Sequence, residues 1–292
     1  MKEYLKHFFA RFHYTAEDTA TLTAAYETVA GSCYSERWEE LLRLYDQSMI
    51  PDFEAMLSEA RAIAEELRLH PYTLELLLFL CLSRRTEQYY AAQGIAPAIF
   101  ENSMLDLRYK LEECKLVKGI CGSFVAMWFP GFFDLTRFAL GRLQFELVPF
   151  NETYEKNGKK LTPESTVINV HIPRTGTPMT PKDCDKAFAL AADFFRDRIK
   201  GDIAFVCHSW LLFPPLLAYL SEKTNTVAFA RRFDIVSLHE HEDSHPDVWR
   251  LFDTDYTGDP DALPADSSFR RAYIQFLKDG KKSGYAYGVF FY

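Results

Sequence analysis

Val167-Ile-Asn-Val-His-Ile172, Pro173-Arg-Thr-Gly-Thr-Pro-Met179, a segment from Thr180 to about residue 198, and Ile203-Ala-Phe-Val-Cys207 follow one another along the chain. The first run is apolar and β-branched with two polar interruptions, as in a buried strand. The second is rich in turn residues. Thr180 then stands as an N-cap, with Pro181 at the first helical position and Asp183 three residues after the cap. Ala187, Leu190, Ala191 and Phe194 recur at helical spacing and predict an amphipathic helix. The last run is a second buried strand, with His208, Ser209 and Trp210 at its end. Strand, loop, helix, strand at this length is a βαβ unit, so the two strands are expected to be parallel neighbours. Ligands bind at such strand ends in α/β folds.

The 118 or so residues at the start of the chain are helical in character. Thr15 caps one segment and Pro51-Asp52 opens another. Pro71 and Pro97 begin two longer ones, with Leu74, Leu77, Leu78 and Cys81 inward in the first and Met104, Leu107 and Leu111 inward in the second. These patterns predict an all-α bundle. The character changes near Lys118-Gly-Ile-Cys-Gly122, giving a helical domain over 1–120 and a second domain over 121–292. In the second, strands are expected at Phe124–Trp128, Phe138–Val148, Thr226–Leu238, Asp247–Phe252 and Tyr285–Phe291, and helices at Pro214–Ser221 and Ser268–Asp279. Asn157-Gly158 is a hairpin turn signal. The fold class is α+β, an all-α bundle followed by a mixed-sheet α/β domain.

Composition narrows the function. With 48% hydrophobic and 15% aromatic residues the chain builds a large core. A net charge of -8 without a basic block gives no footprint for nucleic acid or an anionic membrane. The six cysteines lack paired metal-ligand spacing and suit a reduced, cytoplasmic protein. The N-terminus carries charge early and is expected not to act as a signal peptide. The run Leu76–Leu82 is too short to span a bilayer.

The order of elements after residue 121 resembles the GNAT superfamily of N-acyltransferases. More narrowly, His171-Ile-Pro173, Cys207-His-Ser-Trp-Leu-Leu212, Arg231-Arg-Phe233 and Leu140-Gly-Arg-Leu-Gln-Phe-Glu146 look like bacterial acyltransferase-domain proteins. These join a helical N-acyltransferase N-terminal domain to a GNAT-like C-terminal domain, and the resemblance spans nearly the whole chain. It implies an acyl-CoA co-substrate lying where strands 167–172 and 203–209 splay apart, with Val170 and Ile172 offering backbone to the pantetheine. Arg174, Thr175, Gly176 and Thr177 would hold the pyrophosphate with the helix N-terminus. The spacing of Arg174 and Gly176 departs from the superfamily's usual loop, and Pro178 removes one donor amide. The implied reaction is acyl transfer to an amine of a small molecule or peptide, with neither metal, nucleic acid nor membrane expected to take part.

Candidate catalytic groups are Glu146 on a polar strand face, His171 and His208 at the strand ends, and Tyr219 after the second strand, where many superfamily members keep an acid. Each also has a plain structural reading, as a solvated carboxylate, packed histidines or a packed tyrosine. Cys207, Ser209, Trp210 and Arg231 are candidate substrate contacts. His239-Glu-His-Glu-Asp-Ser-His245 is metal-like in composition but reads better as a solvated hairpin turn. Phe129-Pro-Gly-Phe-Phe133 reads as a packing joint between domains. Two other functions stay open, a binding or regulatory protein on the same fold and a Cys207-dependent hydrolase or acyl transferase.

Overall fold

The most extensively buried helix of the first half is also its hub. In a computed structural model, α5 (Pro71–Ala92) is buried at every residue from Thr73 to Ser83. A helix apolar on all sides needs neighbours on all sides. α1 (Lys2–Arg11), α2 (Ala16–Ala30), α3 (Ser35–Gln47), α4 (Phe53–Glu66) and α6 (Pro97–Lys118) supply them. The inward side expected from Leu74, Leu77, Leu78 and Cys81 is therefore one part of a surface that has no outer side. Its polar groups are paired, as burial requires: Ser83 lies 2.9 Å from the Tyr4 hydroxyl, and Thr86 lies 2.9 Å from that of Tyr45. Thr15 and Asp52 cap α2 and α4 through the amides of Asp18 and Ala55. The structure describes residues 1–242 and 244–292; Asp243, inside the His239–His245 run, lies outside the described residues.

Two compact units divide the chain at Phe138/Ala139, further along than the expected 120/121. Phe124–Trp128 is not a strand. It holds a short 3-10 turn, Ala126–Trp128, followed by α7 (Pro130–Phe133). Aromatic burial explains the difference: Phe129 and Phe133 sit 5.2 and 4.8 Å from the Phe79 ring, and the Tyr45 hydroxyl donates to the Phe133 carbonyl at 2.7 Å. The Phe129–Phe133 run thus packs inside the helical unit.

Among the described residues the second unit carries a six-stranded sheet, ordered β1-β2-β5-β6-β8-β7. These are β1 (Arg137–Leu140), β2 (Leu143–Pro149), β5 (Thr166–His171), β6 (Ala204–Ser209), β7 (Asp234–Glu240) and β8 (Gly284–Phe291). The run expected as one strand over 138–148 turns at Gly141, whose φ of +69° suits glycine. β3 (Tyr154–Lys156) and β4 (Lys159–Leu161) form a separate hairpin through Asn157 and Gly158, both at positive φ as a type I′ turn requires. β5 and β6 are parallel, as the βαβ pattern demands, and α8 (Pro181–Phe195) crosses between them. The Phe188 ring of α8 packs against Phe145, Phe205 and Phe290 on one sheet face. Val167, Ala204, Val206 and Val289 bury part of the other face with Phe150 and Leu161.

Two expected strands are helical. Residues Asn225–Ala230 form α10, capped by Thr224, and only Asp234 onward pairs in the sheet. The β-branched and aromatic content suggested a strand, but the Thr224 cap and the packing of Phe229 on Phe188 decide for a helix. Residues Val248–Phe252 form α11, ended by Asp253 in the left-handed conformation at φ +61°. α9 (Pro214–Leu217) is shorter than expected, while α12 (Ser268–Lys278) matches its apolar stripe.

Candidate active site

Strand alternation brings three polar side chains to one spot. Glu146 of β2 pairs in register with Asn169 of β5, and His171, two residues on, shares the face of Asn169. The His171 Nε2 lies 2.7 Å from the Glu146 Oε1, and the Asn169 amide donates to the same oxygen at 3.1 Å. Asn169 Nδ2, 3.2 Å from Nε2, can only donate, and an ionised carboxylate can only accept. The consistent arrangement has Nε2–H donating to Glu146 and makes Nδ1 the basic nitrogen. Both side chains are largely shielded, at 22% and 16% exposure, so the hydrogen bond is stronger than in water.

The cluster stands where the sheet opens. β5 and β6 pair only at Ile168↔Phe205 and Asn169↔Val206. Beyond that point β5 stays with β2, through Val170↔Phe145 and His171↔Gln144. β6 stays with β8, through His208↔Tyr287 and Ser209↔Ala286. The two parallel strands therefore part, leaving the backbone of Val170 and Ile172 at the edge of the opening. Val206 is level with Asn169, so His208 lies on the same face as His171, across the gap. The His208 ring meets Tyr285 at 4.0 Å. Burial lowers its pKa against the pull of Asp247, which favours the neutral ring.

The loop after β5 is braced from below. Arg142 donates to the carbonyls of Pro173 and Thr177 at 2.9 and 3.2 Å, and Gly176 turns the chain at φ +73°. The Thr175 and Thr177 hydroxyls lie 2.8 Å apart. Thr180 accepts from the Asp183 amide at 3.2 Å and caps α8. A helix N-terminus at the end of a short loop suits an anion, but the Arg174 side chain is committed to Asp253. Burial works against the Asp253 charge, yet Arg174 and Arg270 outweigh it and hold its pKa below the usual value.

Other expected site residues lie apart from this cluster. Cys207 is buried on the opposite face from His208, and burial pushes its thiol up to about 12. A buried thiol of this kind lacks the exposed, electropositive setting that activates a catalytic cysteine. Ser209 accepts from the Leu211 amide at 3.1 Å, and Trp210 packs 5.7 Å from Phe269. Tyr219 lies past the end of α9 and donates to Asp279 at 2.7 Å, a bond that raises its pKa. Arg231 sits at the C-cap of α10 and pairs with Glu222 at 2.9 Å. Sequence reasoning missed Asn169, though its spacing of two from His171 on a strand was the available signal. It also missed Tyr285 and Asp253, which only the sheet pairing and an ion pair reveal. His239 stacks on Tyr285 at 4.8 Å. Among the described residues no three His, Cys, Asp or Glu side chains converge as a metal site.

Comparison with known proteins agrees with this architecture. The model of the N-acyltransferase N-terminal domain matches residues 3–135, and that of the GNAT-like C-terminal domain matches residues 137–290. No curated protein matches the sequence. Among solved structures, an acyltransferase in complex with decanoyl-CoA and teicoplanin is similar over 98% of this chain and 87% of its own, at 19% identity and a TM-score of 0.74. An acyltransferase mutant in complex with octanoyl-CoA is similar over 99% of this chain and 88% of its own, at 18% identity and a TM-score of 0.77. At such identities the likeness is one of fold. With the parted strands, the intervening α8 and the two matched domains in place, the chain belongs to the family that couples an N-acyltransferase N-terminal domain to a GNAT-like C-terminal domain.

Proposed function

We propose that this protein transfers an acyl group from acyl-CoA to an amine of a small-molecule or peptide acceptor. The observation that carries the reading is the Glu146–Asn169–His171 cluster beside the point where β5 and β6 part. The pantetheine would lie along the freed β5 edge, with the pyrophosphate near residues 174–177 and the start of α8. His171 Nδ1 takes the proton of the attacking amine, while Glu146 balances the imidazolium charge through Nε2–H. The amine nitrogen bonds to the thioester carbon, the carbon–sulfur bond breaks, and the CoA thiolate leaves, taking up a proton. The solved acyltransferases holding decanoyl-CoA or octanoyl-CoA support a fatty acyl donor, and the one with teicoplanin supports a peptide-like acceptor.

Among the described residues no helix is long and apolar enough to cross a membrane. The six cysteines are free thiols, which supports a reducing cytoplasm as the site of action. The test is calorimetric titration with decanoyl-CoA, followed by assay of thiol release with and without an amine. Binding together with amine-dependent release is expected. Binding without release under any amine would assign the protein to the regulatory reading, and no binding at millimolar ligand would remove the donor.

A further inference from the structure

β7 is the last strand in the sheet order, so its outer edge is paired with no other strand. Such an edge offers a row of backbone donors and acceptors to any strand laid beside it. Natural edges are commonly blunted by lysine or proline, and Asp234–Glu240 contains neither. Its apolar side chains are open as well, with Leu238 55% exposed and Ile235 38%. The register shift between Ile235 and Ser237 decides where they point. In a regular strand, residues three apart face opposite ways. Here Ile235 pairs with Gly288 and Leu238 with Ala286, two residues apart on β8, so both stand on one face.

A recess of about 350 Å³ lies on that face beside the edge, lined by Leu212, Leu217, Val227 and Ile235. Leu212 stands over Gly288, where an added Cβ would meet its side chain at 3.3 Å. The Arg231–Glu222 pair also lines the recess, and both side chains are largely exposed, so exchanging Glu222 for another carboxylate costs little. Charge divides along the strand: Arg231 precedes it, while Glu240 ends it and Glu242 follows. Two copies laid antiparallel about a two-fold axis match each other in both directions. With Leu238 of one copy opposite Ile235 of the other, each leucine faces the recess of its neighbour. Glu240 and Glu242 then run alongside Arg231 of the other copy. A parallel arrangement would set Glu240 beside Glu240.

We propose that the β7 edge is the interface of a homodimer, in which two copies join their sheets antiparallel and each Leu238 enters the recess beside Ile235 of the other. The proposal stands apart from the acyl-transfer reading, since no residue of the Glu146–His171 cluster takes part. Analytical ultracentrifugation of the full chain is expected to give twice the chain mass, with dissociation on dilution. Leu238→Glu puts a charge into an apolar recess and is expected to raise the dimer Kd about tenfold or more. Arg231→Glu alone, or Glu240→Lys with Glu242→Lys, should each raise it by a similar factor, about tenfold, through like-charge repulsion. All three reversals together should restore it to within about threefold, because opposite signs meet again. These positions are exposed, so the variants are expected to fold, which circular dichroism verifies in the same samples. A single-chain mass at every concentration overturns the proposal and leaves the edge to a different strand. A dimer indifferent to Leu238→Glu overturns it too, as does a triple reversal that fails to restore what the separate reversals lose. The dilution series on the unmodified protein tests the dimer even where a variant fails to fold.

Discussion

In the proposed transfer Glu146 and His171 act as a unit, so each is expected to be as costly to remove as both. His171→Ala and Glu146→Gln should each lower the rate of amine-dependent thiol release by about 10²–10⁴-fold, the range for one positioned base. The double variant should lose little more. The Kd for decanoyl-CoA, measured in the same samples, should not move, because neither side chain is needed to hold the donor. A rate loss in Glu146→Gln below about threefold would rule out the role assigned to the Glu146–His171 hydrogen bond. Cys207 gives the contrasting case. A thiol reagent should label the exposed Cys33 readily and reach Cys207 only on unfolding, as mass spectrometry can show. Cys207→Ala should keep turnover. The alternation of Glu146 and His171 with apolar neighbours made both legible in the sequence. The Asp279 and Glu222 partners of Tyr219 and Arg231 come from segments that one-dimensional spacing cannot see.

At the scale of elements, caps and prolines set the helices and backbone crowding sets the sheet edge. A Cβ at Gly284 would stand 2.2 Å from the His239 carbonyl oxygen and 2.9 Å from the Phe213 ring, a contact with backbone that cannot relax cheaply. Gly284→Ala is therefore expected to cost about 3 kcal/mol, as an overpacked core site does, and to loosen the pairing of β7 with β8. Chemical denaturation measures the first, and amide exchange at residues 234–240 reads the second. Unchanged stability would show that the two strands can spread. Thr15, Asp52 and Thr180 were readable as caps because an N-cap needs only a side-chain oxygen and an amide two or three residues on. Residues 226–230 and 248–252 misled because a β-branched or aromatic run of five residues fits either element, and packing arbitrates.

The whole molecule should lose stability on acidification in two steps. Burial lowers the pKa of His208 and of His245, with His241 adding to the effect at His245. The folded state then binds fewer protons than the unfolded chain, so these groups cost nothing above their ordinary value of 6.5 and destabilise as pH falls below it. Asp253 is depressed by Arg174 and Arg270, so its contribution is present above 3.8 and is lost as pH falls through its folded value. Melting temperature followed from pH 8 to pH 3 should show both. His245→Asn should flatten the first step. Asp253→Asn should flatten the second while costing about 2 kcal/mol at pH 7, since it leaves two arginines without their shared carboxylate. An acid limb unaltered by Asp253→Asn would mean that the ion pairs contribute nothing to folding.

What the sequence determined by itself was whatever follows from neighbours along the chain. That includes the helical first half, the caps, the Asn157-Gly158 turn, and the βαβ unit with its parallel strands. The resemblance in motifs extended this to the GNAT-like order. The tertiary structure alone decided where β5 and β6 part, which face carries Glu146, His171 and His208, and that Arg174 answers to Asp253. Those outcomes depend on pairing and burial between residues distant in sequence, and the energy of such contacts is set only once the sheet has closed around α8.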